Sequence, residues 1–146
     1  MNVFLRQERE HMDTLSKGER SARMGLIKSR NTAPERAVRR LVSRLGYRYR
    51  LHQKTLPGNP DLVFPSRRKV IFVHGCFWHR HNRCQLARLP KSRPEFWLPK
   101  LQGNKARDRA TRSALTRQGW SSLVIWECEL RDPVRVMIKT LVFLED

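Results

Sequence analysis

The chain has 146 residues, with 31 Lys and Arg against 13 Asp and Glu, and a formal net charge of +18. That length fits one domain with one core. The charge is divided equally between residues 1–60 and 61–146, which indicates a polyanionic partner, nucleic acid before an anionic membrane surface. No run of 18 apolar residues is present, and this excludes a transmembrane helix.

Three cysteines, an odd number, argue against a disulfide framework and for a reducing compartment. The first residues, MNVFLRQEREHM, lack the apolar stretch of a signal peptide. We therefore expect a cytoplasmic protein.

The N-terminal part, residues 1–31, is polar and irregular. Such a segment buries too little apolar surface to order alone, so we expect an arm that orders mainly on binding. The expected organisation is a flexible arm at 1–20 and a single domain at 21–146, with a short helix around Ser21–Ile27.

A helix follows the arm. Thr32 and Glu35 have the spacing of a capping box, and the apolar face that follows predicts a helix that ends at Gly46. Alternation over residues 47–51 predicts a strand with one buried face. The later predicted elements are a hairpin of strands at 61–64 and 70–73, a loop at 75–94, a helix at 103–118, a strand at 121–126 and a helix at 134–144.

The predicted loop concentrates cysteine and histidine. Cys76, His81 and Cys84 lie within it, and Cys128 follows the last predicted strand. Three thiolates and one imidazole form a closed tetrahedral zinc site, and such a site is structural because no position stays open. The spacing does not distinguish His79 from His81 as the fourth ligand. The alternative is that the cysteines are small buried side chains.

Carboxylates are scarce between residues 61 and 126, where only Asp61, Glu95 and Asp108 occur. The hairpin should return His74 to the neighbourhood of Asp61. Hydrolysis of a phosphodiester needs a divalent metal and a proton relay, so we predict that Asp61 holds Mg²⁺ and that His74 and His79 act as base or acid. Asp108 would orient a histidine. Taken singly, each has a plainer interpretation, such as a strand cap, a loop residue or a partner for arginine.

Large aromatic residues interrupt the basic loop. Phe77 and Trp78 follow Cys76 directly, and Trp97 lies close to the end of the loop. Aromatic side chains on a basic surface suit stacking on bases or wedging between them. The alternative is a small satellite core around the zinc site.

These motifs together resemble one nuclease family. The strings PGNPD at 57–61, VIFVHGCFWH at 70–79, EFWL at 95–98, RDR at 107–109 and VIWEC at 124–128 are similar to those of the very-short-patch-repair (Vsr) mismatch endonucleases. The resemblance covers about Lys17 to Leu130. It implies an α/β fold like that of restriction endonucleases, with a mixed central sheet flanked by helices and a structural zinc site.

The resemblance also implies an activity. Vsr enzymes make a Mg²⁺-dependent nick 5′ to the thymine of a T·G mismatch that arises by deamination of 5-methylcytosine. The expected partner is therefore double-stranded DNA with a T·G mismatch, bound by a monomer in the bacterial cytoplasm at the nucleoid. Repair accessory proteins are possible further partners, and no membrane is expected.

By the same resemblance Asp61 is the metal-binding carboxylate and the backbone carbonyl of Val73 is a second Mg²⁺ contact. The family commonly has threonine where this chain has Val73, a change that keeps the carbonyl. The other catalytic positions are His74, His79, Asp108 and, on the first helix, Glu35.

The remaining implied residues bind zinc or DNA. The resemblance assigns zinc to Cys76, His81, Cys84 and Cys128, and so selects His81. It assigns the wedge beside the mismatch to Phe77, Trp78, Trp97 and, on the N-terminal arm, Met24.

Two other functions fit the same charge, zinc and aromatics. One is a zinc-stabilised DNA-binding module without catalysis, which would not need the set of Asp61, His74, His79 and Asp108. The other is a sequence-specific restriction-type nuclease. A wedge favours a mismatched target, since unstacking costs less there.

Overall fold

A computed structural model describes residues 30–146 of the chain. The predicted arm, the helix around Ser21–Ile27 and Met24 lie outside these residues. In chain order the elements are α1 (Ala33–Arg44), β1 (Arg50–Leu51), β2 (Leu62–Phe64), β3 (Lys69–His74), α2 (Pro94–Arg117), β4 (Ser121–Trp126) and α3 (Pro133–Glu145). None of these helices is long and apolar enough to cross a bilayer.

Helix α1 begins and ends as the sequence predicts. Thr32 Oγ1 accepts from the N–H of Glu35 at 3.4 Å, while the Glu35 carboxylate accepts from the N–H of Asn31 rather than closing the capping box on Thr32. At the other end Gly46 has a left-handed φ of 89°, and its N–H and that of Tyr47 bond back to the last turn of the helix. This is a Schellman ending, which glycine favours because it lacks a Cβ.

The four strands form one mixed sheet in the order β1-β2-β3-β4. Strands β1 and β2, and β2 and β3, pair antiparallel, and β3 and β4 pair parallel. The predicted hairpin is confirmed within one residue at each end. The first predicted strand is shortened from 47–51 to two residues, and both are exposed.

Helices cover both faces of the sheet, because successive strand residues point to opposite sides. Leu62, Phe64 and Ile71 pack on one face with α1 and α3. Val63, Val70 and Phe72 pack on the other face with Leu115 of α2. The predicted α/β class, with a mixed sheet flanked by helices, is confirmed.

Helix α2 differs most from its prediction. It begins at Pro94 rather than near residue 103, and Pro99 lies inside it. The early turns are held by a separate small core in which Trp97 and Leu101 pack against Phe77. Burial of these side chains outweighs the hydrogen bond that Pro99 cannot donate.

Candidate active site and metal clusters

The hairpin brings Asp61 to the end of β3. Asp61 directly precedes β2, and the antiparallel register pairs Leu62 with Ile71. One carboxylate oxygen of Asp61 accepts from the N–H of Val73 at 2.7 Å. The predicted approach of Asp61 to the end of the second strand is therefore present, with Val73 in contact through its N–H.

Two histidines stack beside this carboxylate. The rings of His74 and His79 lie 3.8 Å apart between centroids and within 5° of parallel. His79 Nδ1 lies 2.7 Å from Asp108 Oδ2, on α2. The structure thus brings together the three residues that the sequence singled out for proton transfer, and this hydrogen bond directs His79 Nε2 away from Asp108.

The electrostatics separate the roles of these groups. Burial and the neighbouring His79 lower the pKa of His74 to about 3, so its imidazole is neutral near pH 7. Burial works against ionisation of Asp108, but the hydrogen bond and charge of His79 outweigh it and hold the pKa of Asp108 below its usual value. A neutral histidine and a carboxylate-bound histidine therefore lie side by side.

The pKa of Asp61 is shifted in the opposite direction to that of Asp108. Burial raises its pKa to about 7; the Val73 N–H opposes this rise, and the nearby charge of Glu35 adds to it. Near neutral pH this carboxyl is therefore balanced between its protonated and ionised forms. A divalent cation would favour the ionised form by supplying the missing positive charge.

Glu35, His52 and Asp61 form a cluster that could hold a metal ion. Each offers a ligand atom, and these atoms lie within 4.8 Å of one another. Two carboxylates and one imidazole suit a small divalent cation. The sequence argument predicted Glu35 and Asp61 but missed His52, which lies outside the stretch with few carboxylates. The position of His52 in the sequence does not indicate this role, because its approach to Glu35 depends on how β1 meets α1.

The four predicted zinc ligands form a second such cluster. The ligand atoms of Cys76, His81, Cys84 and Cys128 all lie within 4.8 Å of one another. The Sγ atoms of Cys76 and Cys128 are 3.6 and 3.5 Å from His81 Nδ1. Ligands of one tetrahedral zinc are expected about 3.6 Å apart, so the donor set fits that ion.

The surroundings of this cluster hold its residues in position. The His81 ring stacks on Trp126 with 4.1 Å between centroids. Buried Glu127 accepts from the N–H of Cys76 at 3.0 Å. Burial raises the pKa of the Cys76 and Cys128 thiols, so a bound cation would have to displace their protons.

The aromatic residues divide between core and surface. Phe77 and Trp97 are 3% and 1% exposed, and both belong to the small core beside the loop. Trp78 packs against that core and is only partly buried. The satellite core that the sequence left open as an alternative is thus present, and the wedge remains a prediction.

Comparisons with known proteins agree on one family. The family model described as DNA mismatch endonuclease Vsr matches residues 12–86. The Type II nicking enzyme V.XorIIP of Xanthomonas oryzae pv. oryzae is 54% identical over 120 residues, which are 82% of this chain and 88% of that protein. The DNA mismatch endonuclease Vsr of Escherichia coli K12 is 44% identical over 119 residues, which are 82% of this chain and 76% of that protein.

A solved structure shares the fold. The catalytic domain of the homing endonuclease I-Bth0305I matches with a TM-score of 0.53 and 20% sequence identity. The match covers 77% of this chain and 94% of that domain. The arrangement of sheet and helices is therefore one that a nuclease catalytic domain also uses.

Proposed function

The chain belongs to the Vsr family of DNA mismatch endonucleases and is a DNA endonuclease, and on this premise we propose that it nicks DNA 5′ to the thymine of T·G mismatches. These mismatches arise by deamination of 5-methylcytosine, and the reaction depends on Mg²⁺. The observation that carries the proposal is the approach of Asp61 to the end of β3, where His74 stacks on His79.

Each residue has a distinct part in this proposal. The Asp61 carboxylate and the Val73 carbonyl bind the divalent cation, with Glu35 beside them. When bound, the cation supplies positive charge for the phosphate group under attack. His79, oriented by Asp108, exchanges a proton through its free Nε2. His74 is neutral at working pH, so it can accept a hydrogen bond, while its pKa of about 3 makes it a weak base.

We assign a structural zinc ion to the second cluster. A metal with four protein ligands would order the loop from 75 to 93, in which the only regular element is a short 3-10 turn at Gln85–Ala87. His79 and His81, two residues apart, give a matched pair of substitutions for testing it.

We expect His81→Asn to lose zinc and to melt several degrees lower, because the thiolates lose their fourth ligand. His79→Asn should retain one zinc per chain, since His79 bonds Asp108 instead. Metal analysis of the purified variants checks both. Equal zinc contents in the two would contradict the assignment.

Trp78 is the aromatic residue best exposed for contact with bases in this loop, and we keep it as the wedge with Phe77 and Trp97 packed behind it. Trp78→Ala should reduce the preference for T·G over matched duplex by about 1–3 kcal/mol, the usual contribution of one stacked base. Fluorescence anisotropy on the two duplexes measures the ratio of affinities. An equal loss of affinity on both would contradict the wedge.

A second candidate is a nickase that reads sequence alone. It is favoured by the relative from Xanthomonas oryzae, whose name is that of a Type II nicking enzyme.

We expect a monomer that acts in the bacterial cytoplasm at the nucleoid, with repair accessory proteins as further partners.

The test is a nicking assay with Mg²⁺ on labelled duplexes that carry each mismatch or none, in several sequence contexts. A single cut 5′ to the thymine of T·G, absent in the Asp61→Asn variant, supports the proposal. Cutting of matched duplex at one sequence would support the sequence-reading nickase instead. Tight binding without a cut by the wild-type protein would favour a non-catalytic DNA-binding module.

A further inference from the structure

His52 occupies an unusual place next to the proposed cation site. It follows β1 directly and has a left-handed backbone, with φ of 46°. That region is uncommon for residues with a Cβ, although histidine enters it more often than most. Its side chain is only 13% exposed and lies between Glu35 on α1 and Asp61 before β2.

The two ring nitrogens of His52 face different groups. Nε2 lies 3.5 Å from Glu35 Oε2 and 3.2 Å from Arg39 Nη2. Nδ1 lies 3.9 Å from Asp61 Oδ1. The 3.9 Å between Nδ1 and Asp61 Oδ1 is too long for a hydrogen bond. A small divalent cation sits about 2.1 Å from each ligand, so one cation can reach two atoms up to about 4.2 Å apart.

We propose that His52 Nδ1 is a ligand, with Asp61 Oδ1, of the divalent cation, and that Glu35 fixes the His52 tautomer by accepting from Nε2–H. This inference rests on the proposed function, which assigns the cation to Asp61. Histidines that bind metals usually donate their other N–H to a carboxylate, and Glu35 Oε2, 3.5 Å from His52 Nε2, is the carboxylate oxygen placed for that role.

Arg39 must give up one contact in this arrangement, because Arg39 Nη2 and a protonated His52 Nε2 are both donors and lie 3.2 Å apart. In the Nδ1–H tautomer, Arg39 donates to His52 Nε2 at 3.2 Å. In the Nε2–H tautomer, Arg39 keeps its bonds to Glu35 Oε2 at 3.1 Å and to the side-chain oxygen of Asn31 at 2.8 Å. The exchange moves one proton between the two ring nitrogens and leaves the net charge of the protein unchanged.

The charge of the pocket favours a cation. Two carboxylates face one guanidinium, and an imidazole that binds a metal carries no charge, so the pocket is negative when both carboxylates are ionised, in a chain of net charge +18. An imidazole ligand favours Mn²⁺ over Mg²⁺, because nitrogen suits transition metals better than magnesium. His52 would therefore set which cation the site prefers.

The test uses Mn²⁺ as the probe on the full chain without DNA. Electron spin-echo spectroscopy of bound Mn²⁺ should show coupling to a directly bound ¹⁴N nucleus. We expect this coupling to disappear in His52→Gln and the affinity for Mn²⁺ to fall about tenfold, with a smaller change for Mg²⁺. Thr55→Ala, an exposed position in the same turn, is the matched control and should keep the coupling.

A second measurement needs no substitution at His52. In wild-type protein, the ring resonances of His52 should broaden on addition of Mn²⁺ before those of His81. Mn²⁺ that binds with no nitrogen coupling, or coupling that survives in His52→Gln, would overturn the inference while leaving Asp61 as a cation ligand. Mn²⁺ binding that persists unchanged in Asp61→Asn would instead overturn the cation site of the proposed function.

Discussion

The Asp61 carboxyl is deeply buried, yet binding a cation requires its ionised form. The side chain is 14% exposed, and burial raises its pKa to about 7. The unfolded chain ionises this carboxyl near its ordinary pKa of 3.8. Between these two values the folded state holds a proton that the unfolded state has lost, so the free energy of unfolding falls as the pH rises. The residue therefore lowers stability at the pH where it is needed.

We predict that Asp61→Asn stabilises the fold in the absence of divalent metal. The neutral amide keeps an oxygen for the Val73 N–H and removes the cost of a buried charge. The gain should be near zero at pH 4 and rise to at most about 4 kcal/mol above pH 7, because one pKa unit corresponds to about 1.4 kcal/mol. Urea denaturation at several pH values in chelator measures it.

Added Mg²⁺ serves as the control for that experiment. It should stabilise the wild-type protein more than Asp61→Asn, since it binds the ionised carboxylate. In the nicking assay at low Mg²⁺, activity should rise with pH up to about 7 for the same reason. A stability gain that does not change with pH would contradict a raised pKa.

At the scale of elements, the turn before β2 is fixed against α2. Gly58 has a left-handed φ of 75°, and a Cβ at this position would overlap Thr111 Cγ2 on α2. Close packing of this turn against the Thr111 side chain helps to set the position of Asp61, three residues later, relative to Asp108 on the same helix. Glycine serves here because it has no Cβ and tolerates positive φ.

We predict that Gly58→Ala lowers the free energy of unfolding by about 2 kcal/mol or more, through backbone strain and overlap together. Adding Thr111→Ala should restore the part due to overlap, because it removes the clashing methyl group, and leave the part due to strain. Denaturation of the two single variants and the double variant measures this coupling. A double variant no more stable than Gly58→Ala would show that overlap is not the cause.

The elements and the site were predictable to different degrees. Capping at Thr32, the glycine ending at Gly46 and the apolar strand runs are local signals, and the structure contains all of these elements. The start of α2 at Pro94 was not predictable, since Pro99 and Gly103 resemble helix breakers and the side chains that stabilise this turn belong to a tertiary core.

The residues of the site were also predictable to different degrees. Asp61, His74, His79 and Asp108 could be selected because carboxylates are scarce and histidines concentrated in one stretch, and the structure brings them together. His52 could not, because its approach to Glu35 depends on how a two-residue strand meets α1. The buried positions of Phe77 and Trp97 also depend on packing that composition does not reveal.

At the scale of the whole molecule, positive charge should dominate affinity for DNA. Arg109, Arg112 and Arg117 line a shallow groove along α2, on the helix that carries Asp108. Arg135 lies on α3, across the sheet from α2, and is exposed. The groove is therefore suited to guide phosphates toward the site, while Arg135 faces elsewhere.

We predict that affinity for duplex DNA falls about 10³-fold or more between 50 and 200 mM salt, because bound phosphates release counterions. Arg109→Gln and Arg117→Gln should each reduce the slope of log affinity against log salt by about 1. Arg135→Gln carries the same charge change and should leave the slope unaltered. Equal effects of all three would indicate that only net charge matters.

The number of paired residues differs between the two edges of the sheet. Six consecutive residue pairs join β3 to β4, ending with His74 opposite Trp126, whereas only two pairs join β1 to β2. Local opening of a fold starts where the fewest hydrogen bonds must break. Amide hydrogens should therefore exchange first at the β1 edge, next to His52. Local opening at this edge would therefore disturb the pocket formed by Glu35, His52 and Asp61, while His74 and His79 remain stacked.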